Sequence, residues 1–125
     1  MIIVDTSIWV EHFRGHDTPL DDLSSREQIL LHPFVRGELI LHGLPKKGKV
    51  RETIDELASA PVGTPDEASA FIEWAKLAGT GVGYVDSHLL LSARLVADGC
   101  VLTRDNNLHT QAVRLGVAYE GTLTR

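Results

Sequence analysis

The sequence predicts an α/β domain in which a parallel β-sheet carries helices on both faces. Short apolar runs typical of buried strands alternate along the 125-residue chain with longer stretches of helical periodicity. The first such run, Ile2 to Val4, is wholly β-branched, and Asp5 follows it directly. Strands that alternate with helices pair in parallel, and ligands of such sheets bind at the carboxyl ends of the strands. We therefore expect about four to five strands and a functional site at that edge of the sheet.

The composition is that of one folded domain spanning residues 1–125. Apolar residues make up 43% and charged residues 23% of the chain, which is close to the average of globular proteins. No apolar stretch approaches the roughly 20 residues that span a bilayer, and no basic segment precedes the first apolar run, so we expect neither a membrane span nor a secretory leader. The single cysteine, Cys100, excludes an internal disulfide and fits a cytoplasmic protein.

The formal net charge of −5 disfavours broad, sequence-independent binding to phosphate backbones. Contact with nucleic acid therefore requires a local basic patch or a metal cation. The only cluster of basic residues, between Lys46 and Arg51, is more typical of a solvated loop.

Apolar periodicity and helix-terminating residues define the elements in order. We predict strands at 2–4, 28–32, 100–103 and 117–119. We predict helices at 7–14, 33–43, 50–60, 64–79, 84–98 and 108–115, with a short helical turn from Pro19. Ser7 is expected to cap the first helix. The clearest helix start is at Thr64, where proline and then Glu67 complete a capping box.

Two carboxylates lie on helix faces that should be apolar. At 3.6 residues per turn, Glu38 falls in the sector of Phe34 and Leu41, and Asp86 shares a line with Leu90. Burial of an unpaired carboxylate is costly. Each position therefore needs a reason, which is either a side chain that reaches solvent or caps a helix, or a functional site.

Two further acids follow predicted strands and so belong to one edge of the sheet. Asp5 comes directly after the first strand and Asp105 two residues after the strand at 100–103. Each alone is typical of a turn or cap. Carboxylates about 4 Å apart repel by about 4 kcal/mol per pair at an effective dielectric near 20, so a converging set would protonate in part or hold a divalent cation. Oxygen ligands favour Mg²⁺ or Mn²⁺, ions that commonly act in phosphoryl transfer.

The ordered set of motifs resembles the PIN domain, and most closely the VapC-like toxins of toxin–antitoxin pairs. The matching segments are Val4-Asp5-Thr6-Ser7, Gly37-Glu38-Leu39, Tyr84-Val85-Asp86-Ser87 and Leu102-Thr103-Arg104-Asp105. Their order, spacing and chain length agree with that family. The resemblance implies a Rossmann-like sheet and a Mg²⁺- or Mn²⁺-dependent endoribonuclease that cleaves RNA. It also implies a homodimer and inhibition by a small VapB-like antitoxin whose basic tail can enter the acidic site.

The resemblance also assigns roles to individual residues. The metal would be held by the acidic quartet, Asp5, Glu38, Asp86 and Asp105. Asp5 and Asp86 would be the direct ligands. Three hydroxyls would orient the carboxylates or water, those of Thr6, Ser7 and Thr103. Independently of the resemblance, Arg36 and Arg104 lie close in sequence to these acids, so we expect them to hold a phosphate or pair with a carboxylate.

Other readings of the opening strand fit the sequence less well. A haloacid-dehalogenase-like phosphatase needs a second aspartate where this chain has Ser7, and neither a receiver domain's acidic pair nor a phosphate-binding P-loop is evident. The remaining alternative is a non-catalytic module of the same fold whose acidic pocket binds the arginines of a partner. The complete quartet argues against this alternative, because a binding surface does not need buried acids at four separate places.

Overall fold

The computed structural model of the protein describes residues 1–22 and 28–120. Its four strands are β1 (Ile2–Val4), β2 (Ile29–Leu31), β3 (Ala58–Ser59) and β4 (Cys100–Leu102). They form one sheet in the spatial order β3-β2-β1-β4, and every pair of neighbours is parallel. The predicted fold class is therefore confirmed.

Six helices flank the sheet. They are α1 (Thr6–Phe13), α2 (Pro33–Leu41), α3 (Lys49–Glu56), α4 (Pro65–Trp74), α5 (Tyr84–Leu95) and α6 (Asn106–Arg114). Helix α1 packs against α2, whereas α5 packs against β1, β4 and α4, and α6 packs against β4. A 3₁₀ turn at Pro19–Asp22 confirms the short helical turn predicted there. None of the helices in the described segments has the length and apolar character that a membrane span requires.

The central strand β1 is buried on both faces, as its β-branched sequence predicts. Ile3 lies opposite Leu30 of β2 on one side and Val101 of β4 on the other. These side chains belong to one apolar core that also includes Ile8 of α1 and Leu89 of α5. Because β1 is at the centre of this core, the residue that follows it starts from a rigid position.

The predicted helix at 50–60 is too long, and the edge strand β3 was missed. Helix α3 ends at Glu56, and the chain turns extended at Leu57 (φ −71°, ψ 141°). This extension lets Ala58 and Ser59 pair with β2, and Ala60 then donates its N–H to the Leu31 carbonyl. Two exposed residues without β-branched side chains carry no strand signal in the sequence.

Other boundaries also differ from the prediction. Helix α4 ends five residues early, because Lys76 adopts a left-handed conformation (φ 56°). Helix α5 ends at Leu95, where the following Val96 is extended. The predicted strand at 117–119 is a single bridge between Ala118 and Val101.

Candidate active site

The four predicted acids line one cavity at the carboxyl edge of the sheet. Asp5 follows β1 and Asp105 follows the neighbouring β4, while Glu38 projects from α2 and Asp86 from the first turn of α5. The cavity has a volume of about 430 Å³, and its wall also includes Thr6 and Ser7. Residues separated by up to a hundred positions thus face the same space.

Asp5 is the most rigidly held of the four acids. Its side chain is 8% exposed, and its Oδ1 accepts the Thr6 backbone N–H at 2.7 Å. Its Oδ2 accepts the Thr103 hydroxyl at 2.7 Å and the Ser7 hydroxyl at 3.5 Å. Asp5, and not the predicted Ser7, is therefore the N-cap of α1. Ser7 is the second residue of the helix itself, so it lies past the cap position.

Glu38 lies at the margin of the buried face of α2. The buried residues of that helix are Val35 and Leu39, whereas Leu41 is 87% exposed. The buried face is therefore centred on Val35 and Leu39 and not, as predicted, on Phe34 and Leu41, and Glu38 at its margin is half-buried. The Thr6 hydroxyl donates a hydrogen bond of 2.6 Å to its Oε1, which ties α2 to the start of α1.

Asp86 is the carboxylate that shares a line of its helix with the apolar Leu90. The N-cap of α5 is Gly83, without a side-chain cap, so Asp86 does not serve that purpose. Burial first, and then the negative charges of Asp5, Asp105 and Glu38, raise the pKa of Asp86 to about 6. The carboxylates are thus close enough to repel one another.

Asp105 is exposed and caps α6. Its Oδ1 accepts the Leu108 backbone N–H at 2.8 Å. Its own N–H donates to the Thr103 hydroxyl oxygen at 3.0 Å. Thr103 therefore accepts from Asp105 and donates to Asp5, and one buried hydroxyl sets the relative position of two acids.

The donor set fits a divalent oxygen-binding cation. Within residues 1–22 and 28–120, no three His, Cys, Asp or Glu side chains stand in a ready-made metal cage. The acids of the cavity nevertheless offer only oxygen atoms, which suits Mg²⁺ or Mn²⁺. Burial, together with the charges of Glu38 and Asp105, raises the pKa of Asp5 against the effect of its hydrogen bonds. A bound cation would offset this repulsion.

The two arginines predicted beside the site do not line the cavity. Arg36 forms an ion pair of 2.7 Å with Asp55 on α3. Arg104 is paired with Glu11 and also donates to the Asp17 carbonyl. Both therefore pair with groups other than the four site acids.

Sequence reasoning missed four other residues that complete the wall of the cavity, namely Val10, Glu11, Arg14 and His42. Helical spacing could have found them. Val10, Glu11 and Arg14 follow Ser7 by three, four and seven residues, so all of them lie on one face of α1. His42 similarly lies four residues after Glu38.

A second group of buried titratable side chains, also missed, lies beside α5. His32 and His88 are buried among the rings of Phe34 and Tyr84, with the two imidazole centroids 6.1 Å apart. Within the described part of the chain, His32 Nε2 and both ring nitrogens of His88 have no hydrogen-bond partner. Burial lowers the pKa of both residues, to about 4 for His32.

Comparison with known proteins extends the similarity over nearly the whole chain. The family model described as PIN domain matches residues 2–113. Ribonuclease VapC32 from two strains of Mycobacterium tuberculosis, CDC 1551 / Oshkosh and H37Rv, is 37% identical over 118 residues, which is 94% of this chain and 95% of that protein.

Two solved structures have a similar fold. The crystal structure of FitAcB from Neisseria gonorrhoeae superimposes with a TM-score of 0.63 at 21% identity, covering 94% of this chain and 95% of that one. The crystal structure of PAE2754 from Pyrobaculum aerophilum gives a TM-score of 0.59 at 14% identity, covering 92% and 88%. At these identities the likeness shows the fold alone.

Proposed function

The chain belongs to the PIN-domain family, and on this premise we propose that it is a divalent-metal-dependent endoribonuclease that hydrolyses RNA phosphodiesters. The observation that carries the proposal is the convergence of Asp5, Glu38, Asp86 and Asp105 on one cavity. The ribonuclease name of the 37% identical mycobacterial relative supports the same substrate class.

In this proposal, Asp5 and Asp86 are the direct ligands of Mg²⁺ or Mn²⁺, and Glu38 and Asp105 complete the set. When bound, the cation supplies positive charge for the phosphoryl oxygens and acidifies a water molecule. The chain's own contribution is orientation. Thr103 fixes the Asp5 carboxylate, and Thr6 fixes Glu38, before substrate arrives.

We further propose that the protein is the toxin of a toxin–antitoxin pair, acts in the cytoplasm and forms a homodimer. The name VapC32 of the relative supports the toxin assignment. An open cavity lined by acids would also accept a basic segment of a small VapB-like antitoxin, which would compete with the cation by charge.

One observation favours a second candidate. Because no three described acids form a ready-made cage, the cavity could serve a non-catalytic module that binds a partner's arginines. The two candidates differ in one respect, which is whether the cavity hydrolyses RNA when Mg²⁺ is present.

The deciding experiment incubates the purified chain with total cellular RNA in Mg²⁺, in Mn²⁺ and in excess chelator, and maps the cut sites. We expect discrete cuts with either metal, none in chelator, and none from Asp5→Asn at equal folded concentration. Equal cleavage by the variant, or cleavage in chelator, would contradict the metal mechanism. Intact RNA under all conditions, with tight binding of an arginine-rich peptide, would favour the binding module.

A further inference from the structure

We propose that Arg14, together with His42, holds the RNA phosphate adjacent to the scissile one. The inference rests on the proposed ribonuclease function and names residues through which the same cavity would grip its substrate. Arg14 and His42 are two basic side chains in the wall of a cavity whose other ionisable residues are all acidic.

Among the arginines at residues 1–22 and 28–120, Arg14 differs from the rest because no group in these segments partners its side chain. The structure describes six arginines, and the guanidinium of Arg14 alone makes no ion pair, hydrogen bond or ring contact. The other five are engaged with acids, amide or carbonyl oxygens or a ring: Arg36, Arg51, Arg94, Arg104 and Arg114. The free guanidinium therefore keeps all its donors for a group outside the chain.

An acid close to Arg14 on its own helix is already paired elsewhere. Glu11 lies one turn before Arg14, but it binds Arg104, which reaches it from the loop after β4. This pairing leaves a cation exposed at the rim of the acidic cavity. A guanidinium in this position suits a phosphate, to which it donates two parallel hydrogen bonds.

A neighbouring groove suggests how an RNA strand continues from the cavity. The groove, of about 260 Å³, shares Val10, Arg14 and His42 with the acidic cavity. The rest of its wall is mainly apolar and includes Phe13 and Leu44. An unstacked base can lie on such a wall while its phosphate faces the cation at the shared edge. Because the chain carries a net charge of −5, a local cation is required where the strand passes.

The test measures kcat and KM for a short single-stranded RNA in Mg²⁺ over a range of salt concentrations. We expect Arg14→Ala to raise KM about tenfold while kcat changes less than about twofold, and Arg14→Lys to restore part of the loss. The slope of log KM against log salt should fall by about 0.7, the value for one phosphate contact on a single strand. The matched control is Arg94→Ala, because Arg94 stacks on Trp74 away from the cavity lining.

A binding measurement adds a readout that does not depend on cleavage. In an Asp5→Asn background, fluorescence anisotropy with the same RNA should show about tenfold weaker binding after Arg14→Ala and a smaller loss after His42→Ala. An unchanged dissociation constant, or unchanged KM and salt slope in the cleavage assay, would overturn the inference. So would a fall in kcat alone, which would place Arg14 in the chemical step.

The outcomes separate the two proposals. Failure of the wild type to cut RNA with Mg²⁺ overturns the ribonuclease assignment and this inference with it. Cleavage by wild type with an unaffected Arg14→Ala variant overturns the inference alone. If Arg14→Ala keeps its RNA affinity but loses affinity for an apolar partner peptide that carries carboxylates, the groove is a protein-docking surface and the phosphate assignment is wrong.

Discussion

Helix α5 carries a half-buried carboxyl, Asp86, and a buried imidazole, His88, two positions apart and in opposite surroundings. Asp86 faces the acidic cavity, and His88 packs among His32, Phe34 and Tyr84. Burial raises the pKa of the carboxyl and lowers that of the imidazole, so both are driven toward their neutral forms. Burial alone therefore does not distinguish the two regions.

The difference lies in what surrounds each group. The carboxylates share an open cavity and repel one another, and the threonine hydroxyls hold two of them in fixed orientations. The imidazoles meet aromatic rings, and their free nitrogens have no partner in the described residues. A cation would stabilise the carboxylates, which repel one another, are accessible and are held by hydrogen bonds. The unpaired imidazoles inside the ring cluster are part of the core. We therefore propose a cation site in the first region only.

The sharpest test of this comparison replaces one residue from each region. We expect Asp86→Asn to reduce Mg²⁺-dependent RNA cleavage by about 10³-fold, because it removes a proposed metal ligand and its charge. His88→Phe should leave cleavage within about twofold. Initial rates at saturating Mg²⁺, with circular dichroism to verify folding, measure both. A large loss from His88→Phe in a folded protein would show that the ring cluster takes part in function.

A second test asks whether orientation by hydroxyls separates the regions. Thr103→Val removes the hydrogen bond to Asp5 and leaves the Asp105 N–H without its acceptor, so we expect cleavage to fall about 10- to 100-fold. The control is Thr64→Ala, which removes the cap of α4 and should cost about 1 kcal/mol of stability without loss of activity. If both variants lose activity in proportion to stability, Thr103 has only a structural role.

The four acids of the cavity can be identified from the sequence, because two of them are carboxylates at helix positions where the periodicity leads one to expect apolar side chains. Asp86 shares a line of its helix with apolar side chains, Glu38 lies at the margin of a buried face, and the strand ends supply Asp5 and Asp105. Local pattern is enough in these cases, since helix faces and strand ends repeat at fixed spacing. Strand β3, which the sequence did not predict, shows the limit of local pattern. Its pairing with β2 depends on the free edge of the sheet and not on the identity of its own two residues.

Side-chain contacts between residues that are distant in the chain also could not be predicted from the sequence. Arg36 and Arg104 are near the acids in sequence, yet they pair with Asp55 and Glu11. The burial of His32 against His88 likewise joins β2 to α5 across more than fifty residues. The ion pairs that form depend on how the helices pack, which local sequence spacing does not encode. Among the described residues, Arg14 can be recognised as unpaired only once the other pairs are known.

The smallest expected effect concerns stability and pH. The pKa of Asp86 is about 6 in the folded protein and ordinarily 3.8, so the folded state holds the proton more tightly than the unfolded chain. The stabilisation of the fold by protonated Asp86 is therefore complete below about pH 4 and is lost as pH rises through about 6. Allowing for partial exposure, we expect the unfolding free energy of Asp86→Asn, relative to wild type, to increase by about 1 kcal/mol from pH 4 to pH 7 in chelator.

Urea unfolding at several pH values measures this difference, and Asp55→Asn provides a control of opposite sign. Its ion pair with Arg36 lowers the pKa of Asp55 below the ordinary 3.8, so the stability that it contributes is present above about pH 4 and is lost as pH falls further. The cost of Asp55→Asn should therefore stay constant between about pH 4 and pH 7 and decrease at lower pH. Saturating Mg²⁺ at pH 7 should stabilise wild type more than Asp86→Asn, because the cation replaces the lost proton in offsetting the repulsion. A pH-independent difference, with no response to Mg²⁺, would mean that the cavity acids do not interact and would remove the electrostatic contrast with the histidine cluster.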